Sequence, residues 1–395
     1  MSRRWVLLVA ALAIALVGYT LVLHQVYTWR ANTHPDFYIE WIGSRVALQG
    51  GNPYSDETTQ AIQLGSKGQQ VAAGEDQLAF VYPFYRVFIN APVAFLPYDW
   101  AAAIWQTVMQ ASLFAGVLLL VRSLQWRIQA GELVLVLLVT TLAYPTFGAI
   151  VLGQMAVGVL ALLLIAFWAT RAEHYWLAGT CLAVATVKPQ LVILAIPALL
   201  IWTLVHRQWR VAVAFVVTLL ILVLASWAVF PSWIQEFAAA LTRYPLYKNV
   251  QTGPGFLFSG SSPVWPWLLE AAATAWLLAA WWLAWQRQRD WLAGAFVLTL
   301  AMSGFLLPQT SIANQLMLLP AVVLLIRDAP GGAAQLSIAI VAIAGSWVVY
   351  ATLYRSHYEL AMALPPLISL LALAAWYIHK EWKHGSRTRT ASSPA

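Results

Sequence analysis

The chain has 395 residues, of which 61% are hydrophobic and only 9% charged, with a net charge of +7 and a mean hydropathy of +0.72. A water-soluble domain carries about 25% charged residues, so the composition excludes that class and points to a polytopic membrane protein. The single Cys181 excludes an internal disulfide and a cysteine-rich metal centre.

The N-terminus reads Ser2-Arg3-Arg4, then about twenty apolar residues from Trp5. No small-x-small cleavage site follows, so the run reads as a retained first helix, not a removed signal peptide. Apolar runs then recur between short polar breaks, as in helices that cross hydrocarbon about 30 Å thick. They fall near 5–27, 99–121, 132–151, 155–170, 175–188, 190–206, 211–230, 264–286, 291–307, 312–326, 333–353 and 360–379. These runs predict an all-α bundle of about twelve transmembrane helices. The pair around Lys188-Pro189 also fits one broken helix with a re-entrant piece.

With the N-terminus inside, most Lys and Arg fall on the cytoplasmic side, and every inward connection carries at least one Arg. The outward segments hold Asp36, Glu40, Asp56, Glu57, Glu75, Asp76, Asp99, Glu236 and Glu359. The expected topology is N-in and C-in. The positive net charge then reflects this topology and a basic cytoplasmic tail at 380–395, not nucleic-acid binding. A single transmembrane domain would occupy 1–379, and the last dozen residues, rich in Ser, Thr and Arg, read as disordered.

Two outward segments are too long for simple connectors, about 28–98 and 231–263. The first opens with His34-Pro35-Asp36-Phe37-Tyr38, a stretch that fits a short helix to about Leu48, ended by Gly50-Gly51. Asn52-Pro53-Tyr54 reads as a turn, followed by a polar section to Gln77 and by Phe80-Val81-Tyr82-Pro83-Phe84-Tyr85-Arg86. Val87 to Leu96 is too short to span and fits an interfacial piece. In the second segment Ser232 and Gln235 have capping-box spacing. Trp233, Phe237, Ala240, Leu241 and Tyr244 then share one face of a helix in the interface plane. Gly253-Pro254-Gly255 and Ser259-Gly260-Ser261-Ser262 read as flexible loop.

Few residues in this apolar wall can carry chemistry. Asp36 fits either a loop-solvating or helix-capping carboxylate or a general base, since its aromatic surroundings raise a carboxyl toward a useful pKa. Glu40, one turn on, is the fallback. Lys188 fits either a lysine snorkelling to the headgroups or a partner for a phosphate anion. Gly153-Gln154 offers an amide at similar depth, or a plain tight turn. Arg86, Arg243 and Lys248 are outward cations suited equally to phosphate or to lipid headgroups. Gln309, Asn314 and Gln315 are suited to a sugar or to bonding between helices. No nucleotide-binding loop, zinc spacing or nucleophile elbow is present.

The order of Asp36, Gly50-Gly51-Asn52-Pro53-Tyr54, Tyr82-Pro83, Leu96-Pro97, Gly153-Gln154 and Lys188-Pro189-Gln190 resembles glycosyltransferase family 87. These are polyprenyl-phosphate-mannose-dependent mannosyltransferases of the multi-spanning GT-C class. The chain departs from the family's common Tyr-Pro-Pro at Tyr82-Pro83-Phe84. The resemblance implies a GT-C-like bundle with interfacial helices in its first long extracytoplasmic loop. It implies inverting transfer of a sugar, typically mannose, from a polyprenyl-phosphate donor to a glycolipid or glycan hydroxyl on the outer face of the cell membrane. Carried over by position, Asp36 is the catalytic base and Lys188 stands near the donor phosphate, with Arg86 and Arg243 as further candidates for that phosphate from the reading of outward cations. Tyr38, Glu40, Tyr82, Gln154, Gln190, Gln309 and Asn314 would line the substrates. No metal or other cofactor is expected. The rival readings are a lipid-linked-sugar flippase or transporter, and a non-catalytic subunit of an envelope assembly.

Overall fold

The computed structural model describes residues 3–29, 35–72, 74–286, 289–308 and 311–391. All its elements are helical, with no strand among the described residues. Helix α1 (Arg3–Leu23) continues through a π-helical turn (His24–Thr28) and precedes α2 (Pro35–Leu48), α3 (Asp56–Lys67), α4 (Arg86–Ala94) and the long α5 (Tyr98–Ser123). Helices α6 (Ala130–Leu142) and α7 (Tyr144–Val151) meet at a 53° bend. Next come α8 (Ala156–Arg171), α9 (Tyr175–Ala185), the single turn α10 (Pro189–Val192), α11 (Ala195–Val205), α12 (Trp209–Val229) and α13 (Trp233–Arg243). The chain goes on with α14 (Gly253–Leu257), α15 (Val264–Gln286), α16 (Arg289–Leu306), a 3₁₀ stretch (Ile312–Leu318) and α17 (Leu319–Asp328). It closes with α18 (Gly332–Ile340), a π-helical turn (Val341–Gly345), α19 (Ser346–Leu353) and α20 (Tyr358–Ala391).

Among the described residues, six helices are long and apolar enough to cross a bilayer, and the bent α6–α7 pair makes a seventh candidate. With the composition, they make this a multi-pass membrane protein. The other apolar runs of the sequence are helical but shorter. Helix α8, with 16 residues, is roughly 24 Å long, less than the ~30 Å hydrocarbon core. Length alone therefore supports fewer spans than the apolar runs suggest.

The chain divides into two compact units. One comprises Met1–Gly116, Gly148–Pro189 and Arg210–Asn249; the other comprises Val117–Phe147, Gln190–Trp209 and Val250–Ala395. The first unit is built on α8, which is buried along nearly its whole length and packs against α9. Thr180 and Thr218 link α9 to α12 through their hydroxyls at 3.2 Å. In front of this layer α4 packs on α2, and α3 packs on α2 as well. In the second unit α15 packs on α16, and α20 packs on α14 and α16.

Several local expectations hold. Helix α2 ends at Leu48, with Gly50 left-handed at φ +83° and its Gly51 amide bonded back to the Val46 carbonyl at 2.9 Å. Tyr54 N–H donates to the Asn52 side chain at 2.8 Å, which closes the predicted turn. Others need correction. The polar section, to which the sequence assigns no structure, contains helix α3, capped by Ser55 accepting from the Thr58 amide. Gly253-Pro254-Gly255 opens helix α14: proline is tolerated in a first turn, and the Thr252 hydroxyl accepts from the Gly255 amide. Helix α13 does follow Ser232, but the Ser232 side chain makes no capping bond. Leu241 is exposed, while Trp233 and Ala240 face inward. Helix α20 runs on into the expected tail, as far as Ala391. Residues 392–395 lie outside the described residues.

Candidate active site

The site lies within the first unit and starts with the end of α7. Gly153 is left-handed at φ +66°, its N–H donates to Ile150 at 3.0 Å, and the Gln154 N–H donates to Ala149 at 2.8 Å. This is the paired bonding that closes a helix with glycine in the left-handed position. A Cβ at Gly153 would also lie 2.6 Å from the Cβ of Phe37. Trp105 on α5 donates its indole N–H to the Gly153 carbonyl at 2.8 Å and stacks on Phe37 at 5.1 Å between ring centroids. The Phe37 N–H donates to the Leu152 carbonyl at 3.2 Å. The start of α2 is thereby fastened to the end of α7.

Three expected site residues meet beside that joint. Gln154 donates its amide Nε2 to Asp36 Oδ2 and accepts from Lys188 Nζ at 3.0 Å through Oε1. The amide is polarised in the sense that both charges favour, nitrogen to the carboxylate and oxygen to the ammonium. Asp36 sits in the first turn of α2, where the helix dipole favours a negative charge. Lys188 is in a tight turn after α9, its N–H directed to the Ala185 carbonyl at 3.4 Å. Thr186 holds this turn to the start of α4 by a 2.8 Å contact with the Tyr85 hydroxyl.

Burial raises the Asp36 carboxyl above the ordinary carboxylate range, against the Gln154 hydrogen bond and the Lys188 and Lys248 ammoniums. Burial also brings Lys188 down to about 8, with the Asp36 and Glu40 charges opposing. The result is a carboxylate suited to take a proton, one side chain away from an ammonium suited to an anion.

One turn along α2, Glu40 and Arg86 are both wholly buried. Glu40 Oε2 accepts from Arg86 Nε at 2.9 Å and from Arg86 Nη2. Arg86 also lies over Trp105, 4.6 Å from the ring centroid. Its guanidinium is thus spent on protein groups. Tyr82 bonds to Glu40 through its hydroxyl. Burial and the nearby Glu40 and Asp36 charges hold that phenol well above its usual pKa, so it stays a neutral donor. The Tyr54 hydroxyl donates to the Tyr82 carbonyl at 2.7 Å, so the Asn52-Pro53-Tyr54 turn braces the Tyr82-Pro83 segment.

Two other expected residues of the first unit have different partners. Tyr38 packs in an aromatic group with Trp41 and Tyr98. Arg243 is exposed and pairs with Asp56 at 3.5 Å. Gln190 is exposed and Asn314 is buried, both in the second unit. Gln309 lies outside the described residues. Sequence reasoning missed the ion pair of Lys248 with Asp76, both of which act electrostatically on Asp36. Their separation of 172 residues leaves no local pattern to read. The Trp105 clamp was missed too, because one tryptophan among 22 carries no signal in the sequence.

The model of glycosyltransferase family 87 matches residues 80–308, more than half of the chain. The match includes Tyr82, Arg86, Gln154, Lys188, Gln190 and Arg243, while Asp36 and Glu40 lie upstream of it. No curated protein and no solved structure matches the chain.

Proposed function

The chain belongs to glycosyltransferase family 87 as a multi-pass membrane glycosyltransferase, and we propose that it is an inverting enzyme that uses a polyprenyl-phosphate sugar, mannose by resemblance to the family. The acceptor is a glycolipid or glycan hydroxyl on the extracytoplasmic face, with both chain termini inside. The observation that carries this reading is the one amide, Gln154, shared by Asp36 and Lys188.

In this reading Asp36 takes the proton of the acceptor hydroxyl as its oxygen attacks the anomeric carbon. The bond from that carbon to the phosphate oxygen breaks on the opposite face, which inverts the configuration. Polyprenyl phosphate leaves with the electron pair, and Lys188 stabilises the charge that grows on it. Phosphate is a good leaving group, so no separate general acid is needed. Gln154 orients the carboxylate and keeps it apart from the ammonium. Arg86 supports the site indirectly, by fixing Glu40 beneath Tyr82.

The test is release of polyprenyl phosphate by the purified protein in nanodiscs, given polyprenyl-phosphomannose and crude glycolipid. Asp36→Asn should lower turnover about 100-fold or more, the scale of a lost general base, with the melting temperature unchanged. Normal turnover by that variant refutes the assigned base. Transfer of labelled lipid between leaflets with no bond made or broken refutes the enzyme reading and favours a flippase.

A further inference from the structure

The α8–α9 hairpin carries a further group of charged side chains at its end away from Asp36. Helix α8 starts two residues after Gln154, and α9 ends three residues before Lys188. The turn between them, 172–174, therefore lies a helix length from the site, roughly 24 Å for the 16 residues of α8. In that turn Glu173 is left-handed at φ +62°, and the His174 N–H donates to the Ala169 carbonyl at 2.8 Å. Helix α12 lies close along α9, since Gly179 has no space for a side chain against the Val211 carbonyl. Arg210, the residue before Val211, is thereby set beside the start of α9.

Trp168, Glu173, His174, Trp176, Leu177 and Arg210 line an open cleft of about 590 Å³, a size usual for small-molecule sites. Arg210 and Glu173 bring charges of opposite sign to it. Arg210 is in the first turn of α12, which holds no acidic residue, so its charge adds to the positive end of the helix. An anion is favoured beside it. Glu173 favours a cation, and the Trp168 ring, with the His174 ring 5.3 Å away between centroids, offers a π face for one. The edge of the cleft is apolar, with Trp176 and Leu177 59% and 42% exposed. Arg210 is also the second residue of a helix long and apolar enough to cross a bilayer. The cleft therefore stands where a span meets the headgroups, the depth that tryptophan favours.

We propose that this cleft holds the headgroup of a bilayer phospholipid that carries a primary ammonium, with its phosphate on Arg210 and its ammonium on Glu173. Its acyl chains then run along Trp176 and Leu177. A phospholipid without the ammonium leaves Glu173 no counter-charge in the headgroup, and a quaternary ammonium has no N–H to donate to the carboxylate. The inference does not rest on the transfer chemistry at Asp36.

The experiment is photolabelling of the full chain in phosphatidylcholine nanodiscs, with a trace of phosphatidylethanolamine whose acyl chain carries a diazirine near the glycerol. Label should concentrate on the peptide around Trp176 and Leu177. Unlabelled phosphatidylethanolamine should compete about fivefold better than phosphatidylglycerol, the upper scale of one exposed ion pair. Glu173→Gln should erase that preference, and Arg210→Gln should weaken labelling by about the same factor. A preference that survives Glu173→Gln overturns the ammonium contact, and wild-type labelling of Arg210→Gln overturns the phosphate contact. Label spread evenly over exposed helices overturns the cleft. Competition by soluble glycerophosphoethanolamine as strong as by the lipid overturns the bilayer as its source.

Discussion

Arg86 holds Glu40 in an ion pair that solvent does not reach, with Nε and Nη2 both on one carboxylate oxygen. Removing one partner of such a pair leaves a buried charge alone, at a cost of about 3–5 kcal/mol. Arg86→Met should therefore unfold the protein in detergent at markedly lower temperature. Arg86→Lys should fail to rescue it, since a lysine cannot give two nitrogens to one carboxylate while lying flat over Trp105. A thermal melt of wild type and both variants checks this. A melting temperature for Arg86→Lys equal to wild type would refute it.

The Gln154 amide serves Asp36 and Lys188 at once. Gln154→Leu keeps the volume but removes both hydrogen bonds. Asp36 then loses an interaction that favours its ionised form, so its pKa should rise further. Turnover should therefore fall, and the acid limb of the pH profile should move to higher pH. Part of that loss should return as pH rises toward the alkaline limb that Lys188 sets near 8. A uniform loss at every pH would instead mean that Gln154 only positions the substrate.

How much of this was legible in the sequence depended on whether the signal was local. Gly50-Gly51 marked the end of α2 because a left-handed closing residue is a local requirement. Asp36 and Lys188 stood out as charges in apolar surroundings, but only the order of the family's motifs suggested a link between them. Gln154 was as consistent with a plain turn, because the bonds that give it a role run to residues 118 and 34 positions away. Gly253-Pro254-Gly255 misled for the opposite reason. Its residues break helices in isolation, yet Thr252 supplies the cap that lets proline stand in the first turn of α14. Gln315 was read as suited to sugar or to helix bonding. Its amide in fact replaces the N–H groups that two prolines 50 and 51 residues later cannot supply.

Gly153 should tolerate no side chain. Its φ of +66° disfavours an L-residue by about 1–2 kcal/mol, and a Cβ would meet the Phe37 Cβ at 2.6 Å. Both effects act on the joint that positions Asp36 against Gln154. Gly153→Ala should lower the melting temperature and reduce turnover by more than the loss of folded protein accounts for. Gly50→Ala shares the left-handed strain but has open space around it, so it should cost stability and spare specific activity. Comparable specific activities for the two variants would refute a role for the Gly153 joint in the site.

The two shifted groups set a pH window for activity. Asp36 must be ionised to accept a proton, and burial raises its pKa, so the acid limb should lie above the ordinary carboxylate range. Activity is lost as pH falls through that raised value. Lys188 must be protonated to hold the departing phosphate, and burial lowers it to about 8. Activity is lost as pH rises through that value. The profile of kcat/KM against pH should therefore be bell-shaped, with its alkaline limb near 8. Lys188→Arg separates the two limbs, since a guanidinium stays protonated throughout this range. In that variant the alkaline limb should disappear while the acid limb remains. An alkaline limb unchanged by Lys188→Arg would assign it to another group and remove Lys188 from the donor site.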